Sequence, residues 1–372
     1  MKFIKSPQPA LIFALIFTFA FSAFAQTPTP APPVEDDGEI IKVDSRLVVV
    51  PVSVTDAGGQ PVLGLTAKDF RVLEENKNQQ IENVSDAEKV PLEIALLFDV
   101  SASTDSMFKF EQETAAQFLR DVMRADDRAT IITVGESPVI VESRGDAEKA
   151  ATAIKSIQPT KQYTAFYDSV AAAADYLQKN APSGRRKVVV VISDGEDTNS
   201  VRVARAIQDG YKTLGEKVNT LDSKSLYQFT VAKRNEANVS EQNRVLKTVQ
   251  NADTVFYSIN PAGSSYQLNK ISQFGQSNMQ KFADETGGTA YLPKFSPIDS
   301  KDLLQNSANT KRNQEILTKI FRQLANELQA QYLVQYYSED EFPNGRYVKL
   351  DVSLQNPNKL KVRARQGYFV KN

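Results

Sequence analysis

The residues of this sequence that could do chemistry are two aspartates and three hydroxyl side chains in three separate segments: Asp99, Ser101, Ser103, Thr164 and Asp194. Asp99 ends one apolar run and Asp194 ends another, while Thr164 precedes a predicted helix. Ligands of open parallel sheets bind beyond the carboxyl ends of the strands, so these side chains are expected to converge there. Two carboxylates and three hydroxyls form an all-oxygen shell that suits a small, hard cation.

The amino-acid composition excludes several kinds of catalytic and metal site. The sequence contains no histidine and no cysteine. This excludes a Ser-His-Asp triad, a Cys-His nucleophile, haem or iron–sulfur ligation, zinc sites of the usual kind and disulfides. Any metal must be held by oxygen, which favours Mg²⁺, Mn²⁺ or Ca²⁺. Because 44 basic and 45 acidic residues give a net charge of -1, nucleic acid is not expected as a partner.

An α/β domain is predicted to position the cluster, over residues 91–330. Residues 94–98 and 188–192 are continuous apolar runs, which are typical of strands covered on both faces. Residues 110–123 and 166–177 carry apolar side chains at helical spacing. The alternation predicts a doubly wound, mostly parallel, Rossmann-like sheet.

The later part of this domain contains an insertion. About fifty residues separate Ser200 from Ala252, whereas a crossover helix with its loops needs roughly thirty or fewer. Residues 201–214 are predicted to form the crossover helix, and the polar stretch at about 215–250 an irregular or partly helical insertion. Further helices are predicted over residues 279–286 and 313–329.

Both ends of the chain show the two-residue apolar period of half-buried strands. Residues 46–55 place four valines on one face, and residues 348–354 alternate in the same way. A further alternating segment, 360–364, follows a turn and is predicted to complete a hairpin.

Neither end is large enough to form a stable sheet alone. We therefore expect the N-terminal β arm, 41–90, to pack with the C-terminal β arm, 331–372. The α/β domain would then be inserted in a β-sandwich-like module built from both arms.

The N-terminal segment has the features of an export signal. Lys2 and Lys5 precede an apolar stretch, and Ala23-Phe24-Ala25 forms a cleavage signature, so residues 1–25 are predicted to be a signal peptide. Residues 26–40 form a Pro-rich acidic linker. We expect a secreted or periplasmic protein with no membrane span after signal cleavage.

The chemistry-bearing residues also resemble a known family. The spacing Asp99-x-Ser101-x-Ser103, with Thr164 and the run Ser193-Asp194-Gly195, is similar to the metal-ion-dependent adhesion site (MIDAS) of von Willebrand factor type A domains. The wider chain resembles the secreted bacterial branch named the VWFA-related acidobacterial domain family, through residues 50–56, 65–70 and 362–368. The chain departs from the family at Lys161-Gln162-Tyr163, where a glycine-rich approach to the threonine is usual, and in the length of the segment after Ser200.

The resemblance implies a function without catalysis. Ser101, Ser103 and Thr164 would ligate Mg²⁺ (or Mn²⁺ or Ca²⁺) directly, and Asp99 and Asp194 would act largely through bound water. Neutral hydroxyl ligands leave the cation's charge undamped, so it attracts an anionic oxygen from outside. The resemblance therefore implies a secreted or periplasmic adhesion or protein-binding module that captures an Asp or Glu carboxylate of a partner.

Two other hypotheses remain open at this point. A metal-independent scaffold could carry a degenerate site in an intact fold, and chelation would then leave partner binding unchanged. A hydrolase could use the metal as a Lewis acid on phosphate. The sequence lacks a phosphate-cradling glycine-rich loop with an adjacent lysine, and it has no histidine base.

Overall fold

The computed structural model describes residues 46–101, 105–160, 163–263, 270–298 and 302–371. All of them belong to one compact unit, Asp44–Asn372. The predicted signal peptide, the predicted linker and Ser103 lie outside the described residues. No helix in the described part of the chain combines the length and the apolarity that a membrane span requires.

Strands and helices alternate in the middle of the chain, and strands alone occupy its two ends. The strands are β1 (Arg46–Thr55), β2 (Phe70–Glu74), β3 (Lys77–Gln79), β4 (Ile81–Asp86), β5 (Leu92–Asp99), β6 (Arg128–Val134), β7 (Val139–Gly145), β8 (Arg186–Ile192), β9 (Thr254–Ile259), β10 (Ala290–Tyr291), β11 (Tyr332–Ser338), β12 (Tyr347–Leu354), β13 (Lys361–Ala364) and β14 (Gly367–Phe369). The helices are α1 (Asp105–Val122), α2 (Ala147–Ser156), α3 (Phe166–Asn180), α4 (Val201–Leu214), α5 (Ser223–Asn251), α6 (Lys270–Thr286) and α7 (Leu303–Gln329).

The central sheet has six strands in the order β10-β9-β8-β5-β6-β7. Its pairs are parallel except for the edge strand β7, which runs antiparallel to β6. Every residue of β5 and of β9 is buried, because helices cover both faces of the sheet. The predicted doubly wound, mostly parallel fold is confirmed.

Two four-stranded antiparallel sheets, β13-β1-β11-β4 and β14-β12-β2-β3, make up the rest of the fold. N-terminal and C-terminal strands alternate in the first sheet, where β1 pairs with β11 and β13. In the second sheet the two chain ends meet where β2 pairs with β12. One apolar core joins the two sheets, and it includes Val50, Val72, Val334 and Val348. The predicted sandwich-like module of both chain ends is therefore confirmed.

The predicted C-terminal hairpin is wrong. β13 pairs with β1, where Val362 faces Val54, whereas β12 pairs with β2, where Val352 faces Val72. The chain between β12 and β13 therefore passes from one sheet of the sandwich to the other. An alternating apolar pattern indicates which face of a strand is buried, but it does not indicate which neighbour the strand pairs with.

The predicted insertion also differs from the structure. Residues 223–251 form the single 29-residue helix α5, and its second half buries Ala237, Val245 and Val249 against the sheet. The helix α4 buries only Val203 and Gly210. The crossover helix that covers the sheet is therefore the second half of α5. The helix α4, which was predicted to be the crossover helix, packs against α5.

A charged side chain is buried inside the sandwich. Glu74, at the end of β2, is fully buried and accepts hydrogen bonds from Tyr336 Oη (2.7 Å), Tyr368 Oη (2.7 Å) and Ser338 Oγ (2.8 Å). Burial and the Glu74 carboxylate raise the pKa of Tyr368 to about 12, so its hydroxyl remains a donor at neutral pH. The carboxylate of Glu74, in the N-terminal β arm, thus links two strands of the C-terminal β arm, β11 and β14.

We expect Glu74→Leu to lower the free energy of unfolding by about 3–5 kcal/mol, because three buried hydroxyls would lose their acceptor. Urea denaturation measures the change. The exposed variant Glu82→Leu is the control, and it should stay within about 0.5 kcal/mol of the parent protein. Equal unfolding midpoints for the two variants would contradict this role of Glu74.

Candidate metal site

Asp99, the last residue of β5, organises the cluster at the carboxyl edge of the central sheet. Its Oδ1 accepts hydrogen bonds from the backbone N–H (2.9 Å) and the hydroxyl (2.6 Å) of Ser101. Its Oδ2 accepts the hydroxyl of Ser193 at 2.6 Å. Because the Ser101 hydroxyl donates its hydrogen bond to Asp99, the lone pairs of the hydroxyl oxygen are available to a cation.

Asp194 lies in the loop that follows β8, and two glycines shape this loop. Asp194 Oδ1 accepts a hydrogen bond from the N–H of Glu196 (2.9 Å), and Gly195 between them has a φ of +77°. Gly195 packs directly on Gly275 of α6: a Cβ added at Gly275 would lie 2.7 Å from the carbonyl carbon of Gly195. Only a glycine at position 275 leaves room for the Asp194 loop.

Thr164 is held against the same loop by its backbone. The carbonyl oxygen of Thr164 accepts hydrogen bonds from the N–H groups of Thr198 (2.8 Å) and Asn199 (3.0 Å), and its own N–H donates to Thr198 Oγ1 (2.8 Å). The side chain is buried, and its hydroxyl makes no hydrogen bond with the residues that the structure describes. This hydroxyl oxygen therefore remains available as a ligand.

Asp197, a neighbour of the cluster in sequence, has a different role. Its carboxylate is buried and accepts hydrogen bonds from the N–H of Tyr167 (3.3 Å) and from the hydroxyl of Ser200. Asp197 thus joins the first turn of α3 to the start of α4. Burial raises its pKa to about 6, and the hydrogen bond from Ser200 opposes this rise.

The charges of the cluster are uncompensated. Burial raises the pKa of Asp99, and the charge of Glu196 adds to the rise, whereas hydrogen bonds from Ser101 and Ser193 oppose it. Burial, followed by the charges of Asp99 and Glu196, raises the pKa of Asp194 to about 6. Neither aspartate forms an ion pair with a lysine or arginine in the described residues. A divalent cation would supply the missing positive charge.

The donor set fits a hard cation. It offers carboxylate and hydroxyl oxygens, and within the described ranges there is no group of three or more acidic side chains that could hold a metal by itself. Asp99, Ser101 and Asp194 form one hydrogen-bonded and electrostatic group, and Thr164 is tied to the loop that follows Asp194. Ser103 lies outside the described residues, so the structure gives no position for this predicted ligand.

From the sequence, no role is assigned to two residues that shape the cluster, Ser193 and Gly275. Ser193 had a visible signal, because it directly precedes Asp194 at the end of a buried strand. Gly275 had a weaker one: a glycine inside a helix has a packing or functional reason in many proteins. The helix predicted here began at residue 279, whereas α6 begins at Lys270, so Gly275 was not predicted to lie on a helix.

Residues 94–196 match the family model described as the von Willebrand factor type A domain. This range contains Asp99, Ser101, Thr164 and Asp194. No curated protein sequence matches the chain. The narrower acidobacterial family that the sequence resembles is not confirmed by these comparisons.

Several solved structures are similar at low identity. A von Willebrand factor type A protein from Catenulispora acidiphila is 9% identical, with 88% of this chain and 74% of that chain covered and a TM-score of 0.41. The proximal thread matrix protein 1 of the mussel byssus, with a zinc-occupied MIDAS motif, is 12% identical, with 69% and 50% covered and a TM-score of 0.40. A mutant of the PilB minor pilin from Streptococcus sanguinis is 14% identical, with 65% and 63% covered and a TM-score of 0.41. The assignment of the domain rests on the family match.

We expect Gly275→Ala to displace the Asp194 loop, because the added methyl group would meet the backbone of residues 194–196 at 2.7–2.8 Å. The free energy of unfolding should fall by about 1–3 kcal/mol. Thermal and urea unfolding measure this change. Ser277→Ala, an exposed change on the same helix, is the control, and a Gly275 variant as stable as this control would contradict the close contact.

A buried acid on α1 adds a pH dependence near the cluster. Burial, together with the charge of Asp99, raises the pKa of Glu111 from 4.5 to about 8. The folded protein therefore holds a proton that the unfolded chain releases above about pH 4.5. The contribution of Glu111 to stability is full below that pH and is lost as the pH rises through 8.

We therefore expect Glu111→Gln to raise the free energy of unfolding at pH 8 by about 2–4 kcal/mol and to change it little at pH 4. Urea denaturation of both proteins at the two pH values measures the difference. The exposed variant Glu113→Gln is the control on the same helix. A Glu111 effect that is independent of pH would contradict the raised pKa.

Proposed function

The chain contains a von Willebrand factor type A domain over residues 94–196, and from this premise we propose that the protein is a metal-ion-dependent adhesion module. It binds a divalent cation through Asp99, Ser101, Ser103, Thr164 and Asp194, and the cation binds an Asp or Glu carboxylate of a partner protein. The module performs no catalysis. The signal-peptide pattern in residues 1–25 supports a secreted or periplasmic location.

One observation carries the proposal: the buried Asp99 and the half-buried Asp194 share an edge of the sheet with acceptor hydroxyls and without a basic partner among the described residues. Asp99 orients Ser101 and Ser193 by accepting hydrogen bonds from their hydroxyls, so it positions hydroxyl groups as well as supplying charge. Thr164 supplies a further oxygen. The cation, Mg²⁺ or alternatively Mn²⁺ or Ca²⁺, supplies a positive charge that attracts an external carboxylate.

A protein partner agrees with the surface around these residues. Tyr163 directly precedes Thr164, and Val201 begins α4 after the Asp194 loop; the two side chains are 65% and 58% exposed. One charged contact at a metal gives orientation, while apolar side chains around it give area and specificity. The two side chains therefore form part of the surface that a partner would cover.

We expect calorimetric titration of residues 26–372 with Mn²⁺ or Mg²⁺ to show saturable binding, because the site lacks compensating charge. Asp99→Ala and Thr164→Ala should weaken the metal affinity by about 10- to 100-fold, since each removes a ligand or the group that orients one.

Asp175→Ala is the matched control, because Asp175 is exposed on α3. It should bind the metal as the parent protein does. Circular dichroism of every variant checks the fold. If the parent protein binds neither ion, or if the three variants bind equally, the proposed metal site is refuted.

A further inference from the structure

We infer that residues 201–236, here called the helical arm, form a basic docking surface for an acidic segment of the same partner whose carboxylate the metal captures. The arm consists of α4, the short 3-10 turn Gly215–Thr220 and the first half of α5. The inference rests on the proposed function and adds the chemistry of the partner beyond its single metal-bound carboxylate.

The two helices of the arm run antiparallel. Near its start, α4 places Arg202 3.9 Å from Glu241 in α5. Farther along, Gly210 packs on the aliphatic stem of Lys233, and the ring of Tyr211 lies 5.7 Å from that of Phe229. As the residue numbers of these contacts rise along α4, those of their partners fall along α5, so the two helices form an antiparallel helical hairpin.

The hairpin extends past the edge of the sheet that carries the metal site. Tyr167 Oη donates to the carbonyl oxygen of Asn238, which places Asn238 beside the first turn of α3 at this edge. From there α5 runs along the sheet to its end at Asn251, and β9 begins at the opposite edge. The fifteen residues before Asn238 therefore extend beyond the carboxyl edge by about 22 Å, at about 1.5 Å per residue.

Both ends of the arm, at the start of α4 and in the middle of α5, are hydrogen-bonded to α3 or α6, which lie beside the candidate site. Val201 donates its N–H to Asp168 Oδ2 (2.8 Å), four residues after Thr164. On the α5 side, the Tyr167 hydroxyl also donates to Asn278 (3.1 Å), which Gln242 bonds in turn (2.8 Å). A ligand held at the metal therefore lies next to a fixed projection and not next to a free loop.

The arm is basic in a chain that is slightly acidic overall. Its four acidic residues are outnumbered by seven basic ones, for a charge of +3 against -1 for the whole chain: Arg202, Arg205, Lys212, Lys217, Lys224, Lys233 and Arg234. Three of the seven, Arg205, Lys217 and Lys224, are exposed and form no ion pair with any described residue. They are available to a negatively charged partner.

Charge complementarity selects an acidic polypeptide as the occupant. The proposed metal site binds a carboxylate, and the unpaired basic side chains of the arm also attract negative charge. One acidic polypeptide segment could therefore bind to both. Surface charges of this kind contribute modest affinity each, and together they fix the register and direction of the bound segment.

The probe for the test is a fluorescein-labelled twelve-residue poly-L-glutamate, which when extended is long enough to reach from the site along the arm, at about 40 Å. Anisotropy with Mn²⁺ present measures its affinity for the parent protein and for the triple variant Arg205→Gln, Lys217→Gln, Lys224→Gln. We expect about tenfold weaker binding by the variant, with a shallower dependence on NaCl. Tri-glutamate, which is too short to follow the arm, should bind both proteins alike.

The control triple variant Lys155→Gln, Lys179→Gln, Lys359→Gln removes the same charge from exposed positions outside the arm, and it should stay within twofold of the parent protein. Equal weakening by the two triple variants, or no weakening by the arm variant, would overturn the docking surface, while retained Mn²⁺ binding would leave the proposed function standing. A parent protein that binds neither Mn²⁺ nor poly-L-glutamate would refute both. Binding of a twelve-nucleotide single-stranded DNA as tightly as the peptide, and in EDTA, would show a general polyanion surface and overturn the acidic polypeptide.

Discussion

The hydrogen bond between Ser193 and Asp99 is the interaction on which the candidate site depends. Asp99 ends β5 and Ser193 directly follows the adjacent parallel strand β8, so their side chains meet at one edge of the sheet. The other Asp99 oxygen orients Ser101. A buried carboxylate is stable only where donors satisfy its oxygens. Since two of these donors are the hydroxyls of Ser101 and Ser193, Asp99 fixes two hydroxyl groups in place at the candidate cation site.

The loop after β8 connects the candidate site to α3 and α4. Within a few residues it supplies Asp194 to the cluster, Thr198 to the backbone of Thr164, and Asp197 to the start of α4. The contact of Gly195 with Gly275 of α6 sets the path of the loop. One short segment therefore positions two of the proposed ligands, Asp194 and Thr164, together with the start of α4. For this reason the arm and the site are expected to act on the same partner.

The fold and most of the candidate site could be predicted from the sequence, because both rest on local signals. A fully buried strand reads as an apolar run, as in residues 94–98, and aspartates and serines at strand ends indicate an oxygen site. The strand partners of residues 361–364 and the course of residues 223–251 could not be predicted. Alternation does not identify a neighbouring strand, and α5 is apolar on one side over only half its length, so its pattern does not show which half covers the sheet.

The sequence by itself determined the class of fold, the type of ligand atom and the absence of thiol and imidazole chemistry, because residue identity and short-range periodicity are sufficient for each. Only the tertiary structure decided that Ser193 binds Asp99, that Gly275 packs on Gly195 and that the first half of α5 extends beyond the sheet edge. The first two features join residues that are about 80–95 positions apart in the sequence. The third depends on which part of α5 packs on the central sheet. Such contacts follow from how the elements pack in three dimensions, and the pattern within any one element does not encode them.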